Sequence, residues 1–421
     1  MKAKKLLAVS LAASTMLGLA GCGGSSSSTS SSSKSSSSED KALTAKITVW
    51  SPQEDQSKAN GNWLKKECQA FAKQHPKWKL TFKYGVCSEA DAGKTVTQDV
   101  SAAADVYMYA NDQLGTLIDA NAVAQLGGST LQTVKDTNSA SMLKSVTSNG
   151  KVYGIPFTGN TWFMYYDKSV FSSSDVKSLD TMLTKGKVAF PLSNSWYLGS
   201  FYLANGCTLY GDGTQAKKGV QFGGDKGYAT TKTLIDLVNN KNFSDDADGK
   251  GLAGLRSHKI KAMFSGSWDY DAVKKALGKN FAATQLPTVK IGGKDQQLKS
   301  FAGSKAIGVN PKSKNMEVAV KLAAYLGGEK AQKDHYTLRS IIPCNTALLK
   351  EKSIASDPLI KAQNDTINNT SVLQPTIAAM NNYWTPVETF GKALVAKQVT
   401  TKNYKAKTDA FQKSLNSDAS K

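Results

Sequence analysis

The chain has 421 residues, with 53 Lys+Arg against 33 Asp+Glu, a formal net charge of +20 and 40% hydrophobic residues. That length exceeds what one core organises and fits two lobes of ordinary size. Aromatics at 9% and a mean hydropathy of −0.35 exclude a largely disordered body and a multi-span membrane protein.

Lys2, Lys4 and Lys5 precede an apolar run from Leu6 to about Ala20, the layout of a secretory signal over residues 1–21. The run ends Leu19-Ala20-Gly21-Cys22 and resembles the bacterial lipobox, in which the cysteine thiol takes up a diacylglycerol. A tract of almost pure serine, Ser25 to Ser38, then makes residues 22–43 a tether that cannot bury apolar area. The expectation is a body anchored through a lipid on Cys22 to the outer face of a cell membrane, as in Gram-positive bacteria. Cleavage before Cys22 removes three lysines and leaves +17.

Such a charge suits a nucleic-acid binder or a surface adhesin. The lysines are spread along the chain, however, and Arg256 and Arg339 are its only arginines. Arginine usually dominates phosphate and base recognition, so no nucleic-acid partner is expected.

Hydrophobic patterning alternates strand and helix from the start of the body. Ala45–Trp50 reads as a strand, Asn62 to about Gln74 as a helix, Trp78–Tyr84 as a strand, and Asp105–Tyr109 as a short strand running into Asn111 and Asp112. Val152–Pro156 and Trp162–Tyr166 read as strands around a turn at Gly159 and Asn160. Segment 187–192 is a strand and Gly227–Val238 a helix. Met263-Phe264 enters a turn from which Trp268 opens a helix. Phe301–Asn310 is a strand, Met316–Leu326 a helix, and Gln374–Gln398 helical around Tyr383 and Trp384. This order predicts an α/β fold with largely parallel sheets and a site at strand C-terminal ends.

Catalytic signatures are missing. His75, His258 and His335 lie far apart and read as surface residues; there is no HExxH, GxSxG, P-loop or paired-cysteine zinc spacing. Asp245, Asp246 and Asp248 with Gly249 resemble the start of a calcium loop without its closing glutamate, so no metal and no cofactor are expected. Cys68, Cys87, Cys207 and Cys344 are an even number in an exported chain. Cys68–Cys87 is the favoured disulfide, within one strand-helix-strand unit, with Cys207–Cys344 the weaker alternative.

Aromatic rings beside polar turns suit carbohydrate: flat rings cover the C–H faces of pyranoses while carboxylates and amides meet the hydroxyls. The segments Lys46–Trp50, Asp105–Asp112, Tyr153–Phe157, Tyr165–Lys168, Ala262–Trp268, Leu286–Thr288, Phe301–Asn310 and Asn382–Trp384 resemble, in order, the bacterial extracellular solute-binding proteins of the maltose/maltodextrin type. The resemblance implies a periplasmic-binding-protein-like fold of two lobes, each a mostly parallel sheet flanked by helices. The lobes would be 45–155 with about 284–327, and 156–283 with about 328–421. It also implies a monomeric, non-enzymatic receptor that hands an α-glucan oligosaccharide to the permease subunits of an ABC importer. Matching positions nominate Trp268, Trp384 with Tyr383, Trp196 with Tyr197, Tyr109, Asn111, Asp112, Glu54, Asp55 and Asn160 as ligand contacts. Asn160 and Gln113 depart from the family's usual carboxylate and basic residue. Capping of the following helix is a rival role for Asp112. Trp50, Trp63, Trp78 and Trp162 are expected in the core. Xylo-, galacto- or manno-oligomers remain alternative ligands, and an anchored glycoside hydrolase an alternative class.

Overall fold

The computed structural model describes residues 41–417, so the expected signal, the lipidated Cys22 and nearly all of the serine tether lie outside the described residues. Among those described, no helix is long and apolar enough to cross a membrane.

Alternation in β1 (Leu43–Ser51) turns Ala45, Ile47 and Val49 into the core. Helix α1 (Trp63–Gln74) lays Trp63, Leu64, Cys68 and Phe71 on one stripe, as a helix covering a sheet must. It returns the chain to β2 (Trp78–Val86), which pairs parallel with β1 from Leu43↔Trp78 to Ser51↔Val86. On the other side of β1 runs β3 (Val106–Ala110), also parallel. The first sheet is completed by β4 (Ile155–Asn160) and by two strands from late in the chain, β10 and β11 below.

The second sheet has the order β7-β6-β8-β5-β9, formed by β5 (Phe163–Asp167), β6 (Val188–Phe190), β7 (Phe243–Asp245), β8 (Ala262–Ser265) and β9 (Phe281–Thr284). Strand β10 (Ser300–Val309) then returns to the first sheet, antiparallel to both β3 and β4, and β11 (Ser371–Leu373) pairs parallel with its start. In the second sheet β6 pairs parallel with β7 and β8, while β5 pairs antiparallel with β8 and β9. Strand-helix-strand units supply the parallel pairs of both sheets, and strands arriving from the other sheet supply the antiparallel ones.

Each sheet has its own core. Ile47, Trp63, Tyr107, Phe157, Ile307 and Ala331 pack in the first; Trp162, Phe190, Phe264, Phe301 and Tyr383 pack in the second. Core membership sorts the segments between the two sheets. Phe157 on β4 packs with the first core, and Trp162, two residues beyond the end of β4, packs with the second. The hairpin of Thr288–Ile291 and Lys294–Gln297 packs with the second through Val289 and Ile291. Beyond the helix Met316–Leu326, Ala331 on the helix Glu329–Arg339 packs with the first. Gly159 and Asn160, expected in a turn, are the last residues of β4. Their neighbour Thr161 donates to the Phe301 carbonyl at 2.7 Å and meets the Ser300 hydroxyl at 2.9 Å, tying two crossing segments together.

The cysteines do not pair. All four in the described body are free and buried. Cys68 faces Tyr84 from the middle of α1, whereas Cys87 lies beyond the end of β2, beside Thr95. Cys344 donates its thiol hydrogen to Asn138 Oδ1 at 3.3 Å, away from Cys207. Burial pushes the Cys68 thiol up to about 12 and that of Cys207 up to about 11. His335 is likewise no surface residue: it is 2% exposed and stacked on Trp63 at 4.0 Å.

Candidate ligand-binding cleft

Between the sheets lies a cavity of about 510 Å³ lined by Trp196, Trp268, Trp384, Asp112, Asn160 and Gln374. It continues into a second space of about 390 Å³, where Glu54, Asp271 and Arg339 are on the wall. Glu89, Asn160, Trp268 and Lys305 line both parts, so they form the passage between an aromatic and a charged compartment.

Trp268 follows β8 in the turn Ser267–Asp269 and is 54% exposed, unusual for so large an apolar side chain. Gly266 allows its pose, because a Cβ there would come within 2.0 Å of the Trp268 ring. The hydroxyl of Tyr165 fixes the same turn by donating to the Gly266 carbonyl at 2.8 Å. Trp196 opens α2 (Ser195–Ala204), where Asn194 Oδ1 accepts from its backbone N–H at 2.9 Å, a helix cap. Its ring lies 5.9 Å from that of Trp268, tilted by 38°. Trp384, on α3 (Asn381–Val395), stands edge-on to Tyr383 at 5.1 Å and to Phe301 at 6.3 Å, leaving the rest of the indole on the cleft.

The polar groups come from strand ends. Asp112 follows β3 in the turn Asn111–Gln113, accepting from Gln113 Nε2 at 2.9 Å. Enclosure pushes its carboxyl up, and the Gln113 hydrogen bond only partly offsets this. No side-chain cap bond to the following helix is formed, so the rival capping role is not realised. Asn160 ends β4, paired with Gly303. Lys305, half-exposed in the otherwise buried β10, reaches Glu89 at 3.3 Å.

Five nominated residues do not face this cleft. Tyr109 is fully buried because β3 is covered on both faces; it packs against Gly154 and Gly308, and its hydroxyl finds no partner among the described residues. Asn111 is buried over Gly303 and donates to the Gln374 carbonyl at 3.4 Å, supporting the turn that presents Asp112. Tyr197 stacks on Trp162 at 4.8 Å, and Tyr383 is buried with its hydroxyl on the Ser195 carbonyl at 3.3 Å. On α2 and α3 respectively, each follows or precedes a cleft tryptophan by one residue and so points about 100° away from it. Asp55 is buried and accepts from His335 Nε2 at 2.7 Å and from Arg339. Burial pushes its carboxyl up, but His335 and Arg339 outweigh burial and hold it below the usual aspartate value.

Glu89, Lys305, Gln374, Asp271 and Arg339 line the cleft without having been nominated. A signal existed for two: Lys305 is a lone cation in an apolar strand, and Glu89 follows a strand's C-terminal end. Of the aspartates 245, 246 and 248, the first two are engaged by protein donors. Asp245 accepts from Ser193 N and Oγ at 3.0 and 2.7 Å, Asp246 accepts from Gly251 N at 2.6 Å, and no cluster of three or more potential ligands occurs among the described residues. What the cleft offers is stacking surface with mixed donors and acceptors, suited to a ligand with apolar faces and hydroxyl edges.

Comparison with known proteins agrees with this architecture. The family model described as "Bacterial extracellular solute-binding protein" matches residues 66–362. A galactooligosaccharide-binding protein of Bacillus subtilis (strain 168) is 26% identical over 412 residues, spanning 92% of this chain and 91% of the relative. A maltooligosaccharide ABC transporter solute-binding lipoprotein of Streptococcus pneumoniae serotype 4 is 25% identical over 309 residues, 68% of this chain and 70% of the relative. Among solved structures, one described "with acarbose" is 53% identical with a TM-score of 0.84, covering 89% of this chain and 99% of its own. A maltodextrin-binding protein from L. casei BL23, solved without ligand, is 28% identical with a TM-score of 0.81, covering 89% of this chain and all of its own. With a family match over most of its length, the chain belongs to the bacterial extracellular solute-binding proteins.

Proposed function

We propose that the protein is the receptor of an ABC carbohydrate importer and captures α-glucan oligosaccharides of the maltodextrin class between its two lobes. The observation that carries this reading is the convergence of Trp196, Trp268 and Trp384 on one cleft beside Asp112, Asn160 and Gln374. At about 25 cal/mol per Å² of apolar area, each stacked sugar face contributes on the order of 1–2 kcal/mol. Three such faces, less the costs of association, give micromolar affinity. Sugar touching both lobes binds the closed arrangement better than the open one, and that difference is what shifts the protein toward the form a permease reads. The receptor acts as a monomer, without catalysis, at the outer face of the cell membrane, tethered by the serine tract and a lipid on Cys22.

The names of the 53%-identical structure and of the pneumococcal relative support α-glucans, and the B. subtilis relative makes galactooligosaccharides the second reading. A thermal-shift panel of maltotriose, maltotetraose, galacto-, xylo- and manno-oligomers, with chromatography of the incubated sugars, separates them. A ligand that binds only the folded state raises the melting temperature. Stabilisation by maltotriose with the sugar recovered intact is expected. Stabilisation by galacto-oligomers alone overturns the α-glucan assignment, and shortened products overturn the receptor reading in favour of a hydrolase.

A further inference from the structure

The side-chain amide of Gln374 stands at the junction of both lobes and the cleft. Its backbone N–H donates to the Ala302 carbonyl at 2.8 Å, continuing the β10–β11 pairing, and its own carbonyl accepts from Asn111 of the first sheet. Its Oε1 accepts from the indole Nε1 of Trp196 at 2.7 Å. Gln374 is 3% exposed, yet lines the aromatic compartment with Trp196, Trp268 and Trp384.

Indole nitrogen is a donor only, so the hydrogen bond to Trp196 fixes which way the amide points: Oε1 faces the indole and Nε2 faces elsewhere. Nε2 has no protein partner among the described residues, and the amide borders the cleft. Nε2 is therefore a free donor with access to the cleft, where a ligand oxygen can take the place of water. Building on the carbohydrate reading, we propose that Gln374 is a specificity residue with two jobs. It positions the Trp196 ring through Oε1, and it donates through Nε2 to a hydroxyl of the sugar stacked on that ring. The sugar at this position must then present an acceptor beside its stacked face, which a deoxy sugar at that carbon lacks.

Two substitutions separate the jobs. Gln374→Glu keeps an acceptor for the indole and removes the donor; Gln374→Leu removes both. In heteronuclear spectra of protein labelled at tryptophan, with Trp196→Phe assigning the signal, the Trp196 indole resonance should hold its place in Gln374→Glu and move in Gln374→Leu. Maltotriose, titrated by calorimetry, should bind about tenfold or more weakly to Gln374→Leu, and more weakly to Gln374→Glu than to the unmodified protein. An indole signal unmoved in Gln374→Leu overturns the positioning role, and wild-type affinity in Gln374→Glu overturns the donor role. Failure of the unmodified protein to bind maltotriose counts against the α-glucan assignment instead. The ligand-free indole signal still decides the positioning role in that case.

Discussion

Exposure separates the tryptophans at the residue scale. Trp63 and Trp162 are fully buried, whereas Trp268 is 54% exposed, so truncating it removes stacking surface and little core. Trp268→Ala should weaken maltotriose binding by about 1–3 kcal/mol, seen by calorimetry, with the melting temperature unchanged. A lowered melting temperature with unchanged affinity would make it a packing residue. Asp55 behaves in the opposite way. Its carboxyl is held below the ordinary aspartate value, so its contribution to stability is full above that value, near pH 4, and is lost as pH falls through the lower folded one. Asp55→Asn leaves Arg339 without its buried partner and should cost about 3–5 kcal/mol in denaturant unfolding at pH 7, with the gap to wild type closing in acid. The sequence marked Asp55 as acidic and strand-proximal, which it is. That His335 and Arg339, some 280 positions away, would claim it was not legible in one chain read end to end. For the same reason the even cysteine count suggested bridges that three-dimensional placement does not make. Denatured protein should react with a thiol reagent at all four body cysteines and native protein at none, since all are buried. Two or fewer in the denatured, unreduced state would restore a disulfide.

At the scale of elements, hydrophobic period was enough to find the pieces. The helix Met316–Leu326 has the bounds its pattern predicts, and strand β10 differs from the predicted Phe301–Asn310 by one residue at each end. What period could not say is which sheet a strand joins. The residues Val152–Pro156 and Trp162–Tyr166 looked like neighbours around a turn, but β4 and β5 lie in different sheets, and the link between them is one of the crossings beside the cleft. The pairing of β10 with β3 also sets Gly303 under Asn111, where a Cβ would fall 1.9 Å from Asn111 Oδ1. Gly303→Ala should therefore displace the Asn111–Gln113 turn and with it Asp112. The expected outcome is weaker maltotriose binding by calorimetry in a folded protein, and unchanged affinity would show that Asp112 contributes nothing. Tyr109 teaches the converse: a tyrosine near a strand's end looked like a platform, but a strand buried on both faces offers no open side.

For the whole molecule, the net charge of +20 was the strongest hint of an anionic partner, yet the cleft carries no excess of cations. Lys232–Asp236, Lys361–Asp365 and Lys392–Glu388 are i,i+4 pairs on exposed surface, while the cleft mixes Glu54, Glu89, Asp112 and Asp271 with Lys305 and Arg339. Composition reports a total, and only the fold reports where it lies. Whether three indoles on one wall hold the faces of an oligosaccharide is visible in a crystal structure grown with maltotriose. The expected density shows glucose rings over Trp196, Trp268 and Trp384, with hydroxyls on Asp112 and Asn160 and both lobes touching the sugar. Maltotriose bound elsewhere, with those indoles uncovered, would contradict it.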